Sequence, residues 1–309
     1  MEQKNQSFVT EFVFIGLSSE PTVQTSLFVV FLVFYLLTIV GNIIIITVIR
    51  ADPQLHTPMY FFLSNLSFLD ICYISTNVPQ LLVNLSTRHH YSFDFYIMLC
   101  YIMFYGMLVK KKCFDLTETK YTKAECRNLH KDSGMSRGLC LRLVISSYVA
   151  GTVNAVIHTT ATFRLDFCGP NTVNHFFCDV PPLLALSSSD TRLNEILLFT
   201  FAGFVEMSSL AIILVSYAFI LSAILRIRST EGRHKAFSTC SSHFTGVTLF
   251  YGTIIFMYLR PMSVYALDQD KWASVFYTVV IPMLNPLIYS LRNKDAKTSL
   301  RKLISRELS

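Results

Sequence analysis

Polar side chains that can do chemistry lie inside long apolar stretches of this sequence. Asp70 interrupts one such stretch, and the amides Asn42 and Asn285 lie in two others. A carboxylate in apolar surroundings is costly and marks a functional site by default, and amides can donate hydrogen bonds to it across packed helices. The three residues predict one of two arrangements: a polar clamp that fixes helix packing, or a hydrated core that rearranges between two states.

Pro286 favours the rearranging core, because a proline frees a backbone carbonyl and permits a kink that Asn285 can bridge with water. We expect Tyr217 and Tyr289 to point inward near the cytoplasmic side of the protein. Glu206 has no evident basic partner in a neighbouring stretch, and two interpretations stay open for it. Either it faces a wet pocket inside the protein, or it lies near the outer rim.

The ionisable residues lack the spacing that catalysis or metal binding needs. No nucleophile–base pair or metal cluster is formed by Asp70, Glu206, His158 and His243. The eight cysteines include no Cys-x-x-Cys pair, which argues against zinc. We interpret the stretch from His175 to Asp179 as loop residues on either side of a disulfide cysteine, in preference to a metal site. We therefore predict a protein that is not an enzyme and binds no metal or cofactor.

The composition places the chain in a membrane. Charged residues make up 15% of the 309 residues and apolar residues 52%, whereas an ordinary soluble domain has about 25% charged residues. The net charge of +6 does not indicate nucleic acid, because the basic residues form short clusters between uncharged stretches. The lipid bilayer is the predicted partner, and nucleic acid is not.

Seven apolar stretches are long enough to cross a bilayer as helices, which need roughly 20 residues each. The third is the weakest, because it is short, contains Asp94 and ends at three lysines. The sequence therefore predicts an all-α membrane protein, a bundle of seven transmembrane helices with an atypical third span. The predicted spans are residues 21–49, 58–82, 91–109, 141–161, 196–225, 236–259 and 272–291.

The positions of Lys and Arg orient the predicted bundle. With the N-terminus outside the cell, twenty of the 26 basic residues lie on the cytoplasmic side, which agrees with the positive-inside rule. We therefore expect residues 1–25 to be extracellular, 26–291 to form the transmembrane domain and 292–309 to be a cytoplasmic tail. Asn5 then begins an Asn-Gln-Ser glycosylation acceptor on the extracellular side.

Three motifs give the sequence a family resemblance. They are LHTPMYFFLSNLS from Leu55, KAFSTCSSH from Lys235 and PMLNPLIYSLRNK from Pro282. Together they closely resemble the olfactory receptor family of rhodopsin-like G-protein-coupled receptors. The resemblance implies a multi-pass protein of the plasma membrane. It also implies that a small volatile odorant binds between the helices and that the signal passes to a heterotrimeric G protein.

The resemblance further implies a ligand site between the fifth, sixth and seventh spans, where related receptors bind small apolar ligands. Helical spacing alone favours plain packing for the same side chains. In a mostly apolar site, Tyr258 and Thr278 are the expected polar contacts. The predicted pocket residues are Phe201, Ala202, Val205, Tyr251, Ile254, Ile255, Tyr258, Val275 and Thr278.

Residues 91–134 depart from the family pattern. The family has a cysteine at the outer end of the third span and an Asp-Arg-Tyr motif at its inner end, and this stretch contains no Asp-Arg-Tyr. Cysteines outside the cell should be oxidised, and Cys100 lies near the expected family position. The disulfide candidates are therefore Cys100, Cys168 and Cys178, with the pairing left open.

The missing motif leads us to expect poor coupling to the G protein and retention of the chain inside the cell. Two alternatives to a working odorant receptor follow. One is a receptor-like chain that is defective in folding or signalling because of its altered third span. The other is a membrane transporter, although this sequence lacks the internal repeats that are common in that class.

Overall fold

Long helices make up most of the computed structural model, which describes residues 11–18, 20–86, 91–92, 137–168, 171–176, 179–225, 229–258, 267–290 and 294–307. Helix α1 spans Pro21–Ala51, and a short 3-10 turn, Pro53–Leu55, joins it to α2, Pro58–Ser86. Helix α3 spans Arg137–Thr162. Within the described part of the chain, these three helices are long and apolar enough to cross a membrane. They correspond to the first, second and fourth predicted spans.

Further helices lie where the fifth and sixth spans are predicted. A short helix, α4, spans Val180–Leu184. Helix α5 (Arg192–Leu197) continues through a π-helical turn (Leu198–Ala202) into α6 (Gly203–Leu225). Helix α7 spans Thr230–Tyr258. Both long runs start a few residues before the predicted spans.

The region of the seventh predicted span has the same construction. Helix α8 (Leu267–Val275) continues through a second π-helical turn (Phe276–Val280) into α9 (Ile281–Ser290). Helix α10 (Lys294–Glu307) follows, and its Ser299 hydroxyl donates a hydrogen bond of 2.6 Å to the Asp52 carboxylate after α1. The C-terminal helix is thereby fastened to the end of α1.

Helix α1 shows why these helices belong in a bilayer. Its buried residues include Thr38, Asn42, Ile45 and Ile49, which recur every three or four residues and form one stripe. Large apolar side chains on the other faces are exposed, as Leu37 is at 55%. An exposed apolar surface of this extent is unfavourable in water and is the usual surface of a helix in lipid. The fold is therefore a helical membrane bundle.

A small sheet, which the sequence did not predict, accompanies the helical bundle. Strand β1 (Glu11–Phe14) pairs antiparallel with β2 (Tyr91–Ser92) and parallel with β3 (Thr172–Val173), in the order β2-β1-β3. Tyr91 and Ser92 were predicted to begin the third span as helix, but they pair with β1 instead. The rest of that predicted span lies outside the described residues.

The chain leaves β1 through Gly16, whose φ of +79° is a conformation that favours glycine. The Gly16 N–H donates to the carbonyl of His175 over 3.1 Å. This bond extends the pairing of the N-terminal segment with the loop that carries β3. The turn therefore lets one short segment both complete the sheet and enter α1.

Two apolar clusters fill the bundle. The larger one continues beneath the sheet and includes Phe12, Phe176 and Tyr277. The smaller one lies around the turn between α1 and α2 and includes Leu55 and Cys140. The site residues described below lie in the larger cluster or beside it.

Candidate functional site

Asp70 and Asn285 meet in the interior of the bundle. The Asp70 side chain on α2 is fully buried, and the Asn285 Nδ2 on α9 donates to its Oδ2 over 2.9 Å. Residues 215 positions apart in the chain are thus joined by one hydrogen bond. Such a bond links α2 to α9 directly, and it satisfies polar atoms of two buried side chains.

Asn42 lies buried on α1 but bonds within its own helix. Its Nδ2 donates to the Thr38 carbonyl over 3.0 Å. Within the described residues, the Asn42 Oδ1 has no hydrogen-bond partner. The predicted trio is therefore a hydrogen-bonded pair with a third buried amide on the neighbouring helix.

Pro286 occupies the contact between α1 and α9. A Cβ atom added at Gly41 would lie 3.1 Å from the Pro286 ring carbons, so α9 approaches the backbone of α1 closely at this point. Tyr217 on α6 is buried, and its ring packs edge-on against Phe244 of α7 at 5.3 Å. The side chains of Tyr289 and Glu206 lie outside the described residues.

The predicted pocket residues divide into two groups. Four of them are buried, and Ile255 is half-buried. The buried ones are Tyr251 and Ile254 on α7 and Val275 and Thr278 on the α8–α9 run. The Thr278 hydroxyl donates to the Ser274 carbonyl over 2.7 Å, so its proton is used within the helix and its oxygen remains an acceptor. The side chains of Ala202, Val205 and Tyr258 lie outside the described residues.

Phe201 is 38% exposed, which makes it a boundary residue and not a core one. Its ring lies edge-on to His158 of α3 at 6.2 Å. His158 is buried, and with Asn154 and Thr159 it forms a polar strip along α3. No sequence pattern predicted this polar strip, because each of its residues is isolated in an otherwise ordinary apolar span.

Both π-helical turns fall at predicted pocket residues. Phe201 lies in the first turn, and Thr278 lies in the second with Tyr277 beside it. A π-helical turn widens the helix locally and is frequent at functional sites. These turns give no pattern that apolar periodicity detects, so the sequence did not predict them.

The loop after β3 covers the bundle beside these residues. All five residues of α4 are buried, and Asp179 precedes them as the N-cap, accepting a 2.8 Å bond from the Val180 N–H. The Tyr277 hydroxyl donates to the other oxygen of the Asp179 carboxyl over 2.8 Å. We call the segment Asp179–Leu184 the lid. The hydrogen bond from Tyr277 to the Asp179 carboxyl group connects the lid to the second π-helical turn.

His175 makes a second connection between this loop and the α8–α9 run. Its Nε2 lies 3.2 Å from the hydroxyl oxygen of Ser274, and its ring stacks on Phe176 at 5.0 Å. This nitrogen therefore contacts a serine, and Cys178 lies outside the described residues. The sequence motif drew attention to His175 and Asp179, but it gave no indication of their partners Ser274 and Tyr277.

The other predicted loop residues can be placed only in part. Cys168 is half-buried and forms no disulfide with either of the other described cysteines, Cys72 and Cys140. Its candidate partners Cys100 and Cys178, and the glycosylation acceptor Asn5, lie outside the described residues.

Comparison with known proteins gives a consistent result over almost the whole chain. The family model described as olfactory receptor matches residues 31–307. Olfactory receptor 5AR1 of Homo sapiens is 55% identical over 309 residues, covering 99% of each chain, and its Mus musculus counterpart is 56% identical with the same coverage. Olfactory receptor 8U3 of Mus musculus is 50% identical over 308 residues, or 99% of this chain and 96% of that protein.

The Asp70–Asn285 bond generates a first prediction. Asn285→Ala removes one hydrogen-bond donor from a buried carboxyl group, and we expect it to lower the free energy of unfolding by about 3 kcal/mol. Thermal unfolding of the purified protein in detergent measures the change. Asn65→Ala is the matched control, since the Asn65 amide bonds only to the Phe61 carbonyl of its own helix among the described residues. If Asn285→Ala and Asp70→Asn have purely additive effects in the double variant, the two side chains are not coupled.

The lid generates a second prediction. Tyr277→Phe removes one hydrogen bond to the Asp179 carboxyl group, and we expect a loss of about 2 kcal/mol of local stability. Hydrogen–deuterium exchange of the lid amides should become faster at Val180, Leu183 and Leu184, since the two prolines between them have no N–H. In the control Tyr35→Phe, which loses a 3.3 Å contact with Ser75 between α1 and α2, lid exchange should not change. Equal exchange in Tyr277→Phe and the unmodified protein would contradict the proposed fastening.

Proposed function

Since the chain belongs to the olfactory receptor family, we propose that its odorant binds between α3, the α5–α6 run, α7 and the α8–α9 run, beneath the lid. The observation that carries this proposal is the lid itself. An apolar loop segment is buried against the helices that hold the predicted pocket residues, and it is tied to Tyr277 next to Thr278. A site closed in this way suits a small apolar ligand better than a peptide.

Family membership confirms the function that the motifs predicted. The chain is an odorant receptor and not an enzyme. It binds small odorants, couples to a heterotrimeric G protein and is a multi-pass protein of the plasma membrane. Full-length similarity to olfactory receptors favours neither the transporter nor the receptor-like chain that cannot signal.

We propose seven spans with the N-terminus outside the cell and the C-terminus inside. The described helices supply six of them, and the third is the span predicted at residues 91–109, which lies outside the described residues apart from the strand Tyr91–Ser92. The support is the distribution of Lys and Arg together with the exposed apolar surface of α1. In this orientation the sheet and the lid are extracellular, Asn5 is open to glycosylation, and α10 lies on the cytoplasmic side. The extracellular cysteines Cys100, Cys168 and Cys178 are then the disulfide candidates.

The pocket and the buried polar pair share one helical run, which suggests how a ligand could act at a distance. Thr278 and Asn285 are seven residues apart, which is about 10 Å along a helix. A ligand that displaces Thr278 therefore moves the backbone that positions Asn285 against Asp70. Pro286 lacks a backbone N–H and so weakens the helix at this point. We propose that Asn42, Asp70, Tyr217, Asn285, Pro286 and Tyr289 form the network that changes between the two receptor states.

The pocket proposal predicts a specific effect of Thr278→Val. This variant keeps the shape of the side chain and removes its oxygen, so odorants that donate a hydrogen bond should bind about five- to tenfold more weakly. Pure hydrocarbon odorants should be unaffected. The measurement is the half-maximal odorant concentration in a cAMP assay at matched surface expression. Thr248→Val is the control, because Thr248 is an exposed residue of α7. An unchanged response to every donor odorant would exclude Thr278 from the pocket.

The family departure at residues 91–134 predicts a weak signal from this chain. In related receptors the Arg of the Asp-Arg-Tyr motif lies where the G protein docks, and Lys110–Lys112 cannot reproduce its planar guanidinium. Replacing residues 91–134 with the corresponding segment of a family member that carries the motif should raise the odorant-evoked cAMP amplitude severalfold. Exchange of the tail, residues 292–309, is the control. Equal amplitudes with and without the new segment would show that it couples normally.

A further inference from the structure

A groove with a volume of about 810 Å³ lies between α1, α2 and α3, at the end of the bundle away from the lid. Its floor is apolar and buried, formed by Ile49, Leu55 and Cys140. Its rim is apolar and exposed, with Phe68 and Leu141 each at 53%. The groove therefore opens sideways onto the surface that faces lipid.

The groove is elongated along the helices. Phe61 and Phe68 both line it and are seven residues apart on α2, which places them on one face about 10 Å apart. Leu141 and Tyr148 have the same spacing on α3 and line the opposite side. An apolar groove that runs along the helices matches an extended hydrocarbon chain lying parallel to them.

One end of the groove is cationic. Arg50 at the end of α1 and His56 in the turn to α2 both line it, and both are exposed. Among the described residues, no carboxylate lies within ion-pair distance of the Arg50 guanidinium. The neighbouring Asp52 instead accepts bonds from the Gln54 N–H and the Ser299 hydroxyl. The charge of Arg50 is thus not neutralised by the carboxylate closest to it in sequence.

We propose that this groove binds an anionic glycerophospholipid. The phosphate lies against Arg50 and His56, and one acyl chain lies along Phe61, Phe68 and Leu141. A guanidinium binds phosphate through two parallel hydrogen bonds. The apolar walls of the groove pack along the acyl chain. The inference rests on the proposed topology, which puts Arg50 on the cytoplasmic face, where anionic lipids attract basic residues.

A sterol fits the arrangement less well. It would fill the apolar part of the groove and leave the charge of Arg50 without a partner. Small odorants would leave most of the groove empty. The guanidinium of Arg50, which forms no ion pair within the described part of the chain, lies at one end of a long apolar groove. It is therefore the feature that selects an amphiphile with a negative head.

The test uses the full-length receptor in nanodiscs with identical lipids in both leaflets. One preparation contains phosphatidylserine with a photoreactive acyl chain, and the other contains phosphatidylcholine with the same chain. We expect phosphatidylserine to label the peptides that hold Phe61, Phe68 or Leu141. Arg50→Gln should reduce that labelling about tenfold, whereas Arg142→Gln should not. Arg142 is an exposed arginine on the same helix as Leu141, but it does not line the groove.

Three results would overturn the proposal. Equal labelling by the two lipids would show that charge does not select the occupant. An equal loss in Arg50→Gln and Arg142→Gln would show general attraction to the membrane surface. Labelling unchanged in Leu141→Trp, which fills the groove from its exposed rim, would place the lipid elsewhere. Thermal unfolding of each variant confirms that it is folded. Leu141→Trp tests the groove without altering its charge.

Failure of this test is distinct from failure of the proposed topology. Symmetric discs present the lipid to Arg50 whichever way the receptor is inserted. A tag at each terminus, probed on intact cells, reports the orientation separately. Odorant responses measured on the same variants report the pocket beneath the lid, which shares no described lining residue with the groove.

Discussion

A carboxyl group inside a lipid-embedded bundle has to be held by polar neighbours, and much of this structure follows from how Asp70 is held. The bond from Asn285 fixes the distance between α2 and α9. The close approach of Pro286 to Gly41 fixes α9 against α1. These two contacts involve residues on consecutive positions of α9, so any motion of that helix changes both together. The polar pair and the proline beside it thus lie at the point where α1, α2 and α9 meet.

Local chemistry explains why the sequence predicted the helices and the polar pair. An apolar stretch of span length has few alternatives to a helix in lipid, and a lone Asp70 inside it needs a partner whatever the tertiary arrangement. The sheet, the lid and the π-helical turns depend on contacts between distant segments. Tyr91 pairs with Phe12 and Asp179 accepts from Tyr277, and no periodicity along either segment carries that information. The family resemblance predicted Thr278 as a pocket residue. Its hydrogen bond to the Ser274 carbonyl within the helix could not be predicted in that way.

The two ends of the bundle are built differently. At the end with the sheet, three chain segments and a buried loop helix close the interior from above. At the other end, an open groove lies between α1, α2 and α3, with the exposed Arg50 at its mouth. The proposed odorant pocket and the proposed lipid groove therefore lie at opposite ends of the bundle and share no described lining residue.

The π-helical turn at Phe276–Val280 has a consequence for chain register. Such a turn holds one residue more than the α-helical turn it replaces, and each residue of an α-helix advances the direction of the side chains by about 100°. Tyr277 and Asn285 point at their partners because this extra residue sets the angle between the two halves of the run. Deletion of a single residue between Tyr277 and Ile281 would leave the lid contact in place and rotate Asn285 away from Asp70. The length of this segment is therefore as much a part of the site as the identity of its side chains.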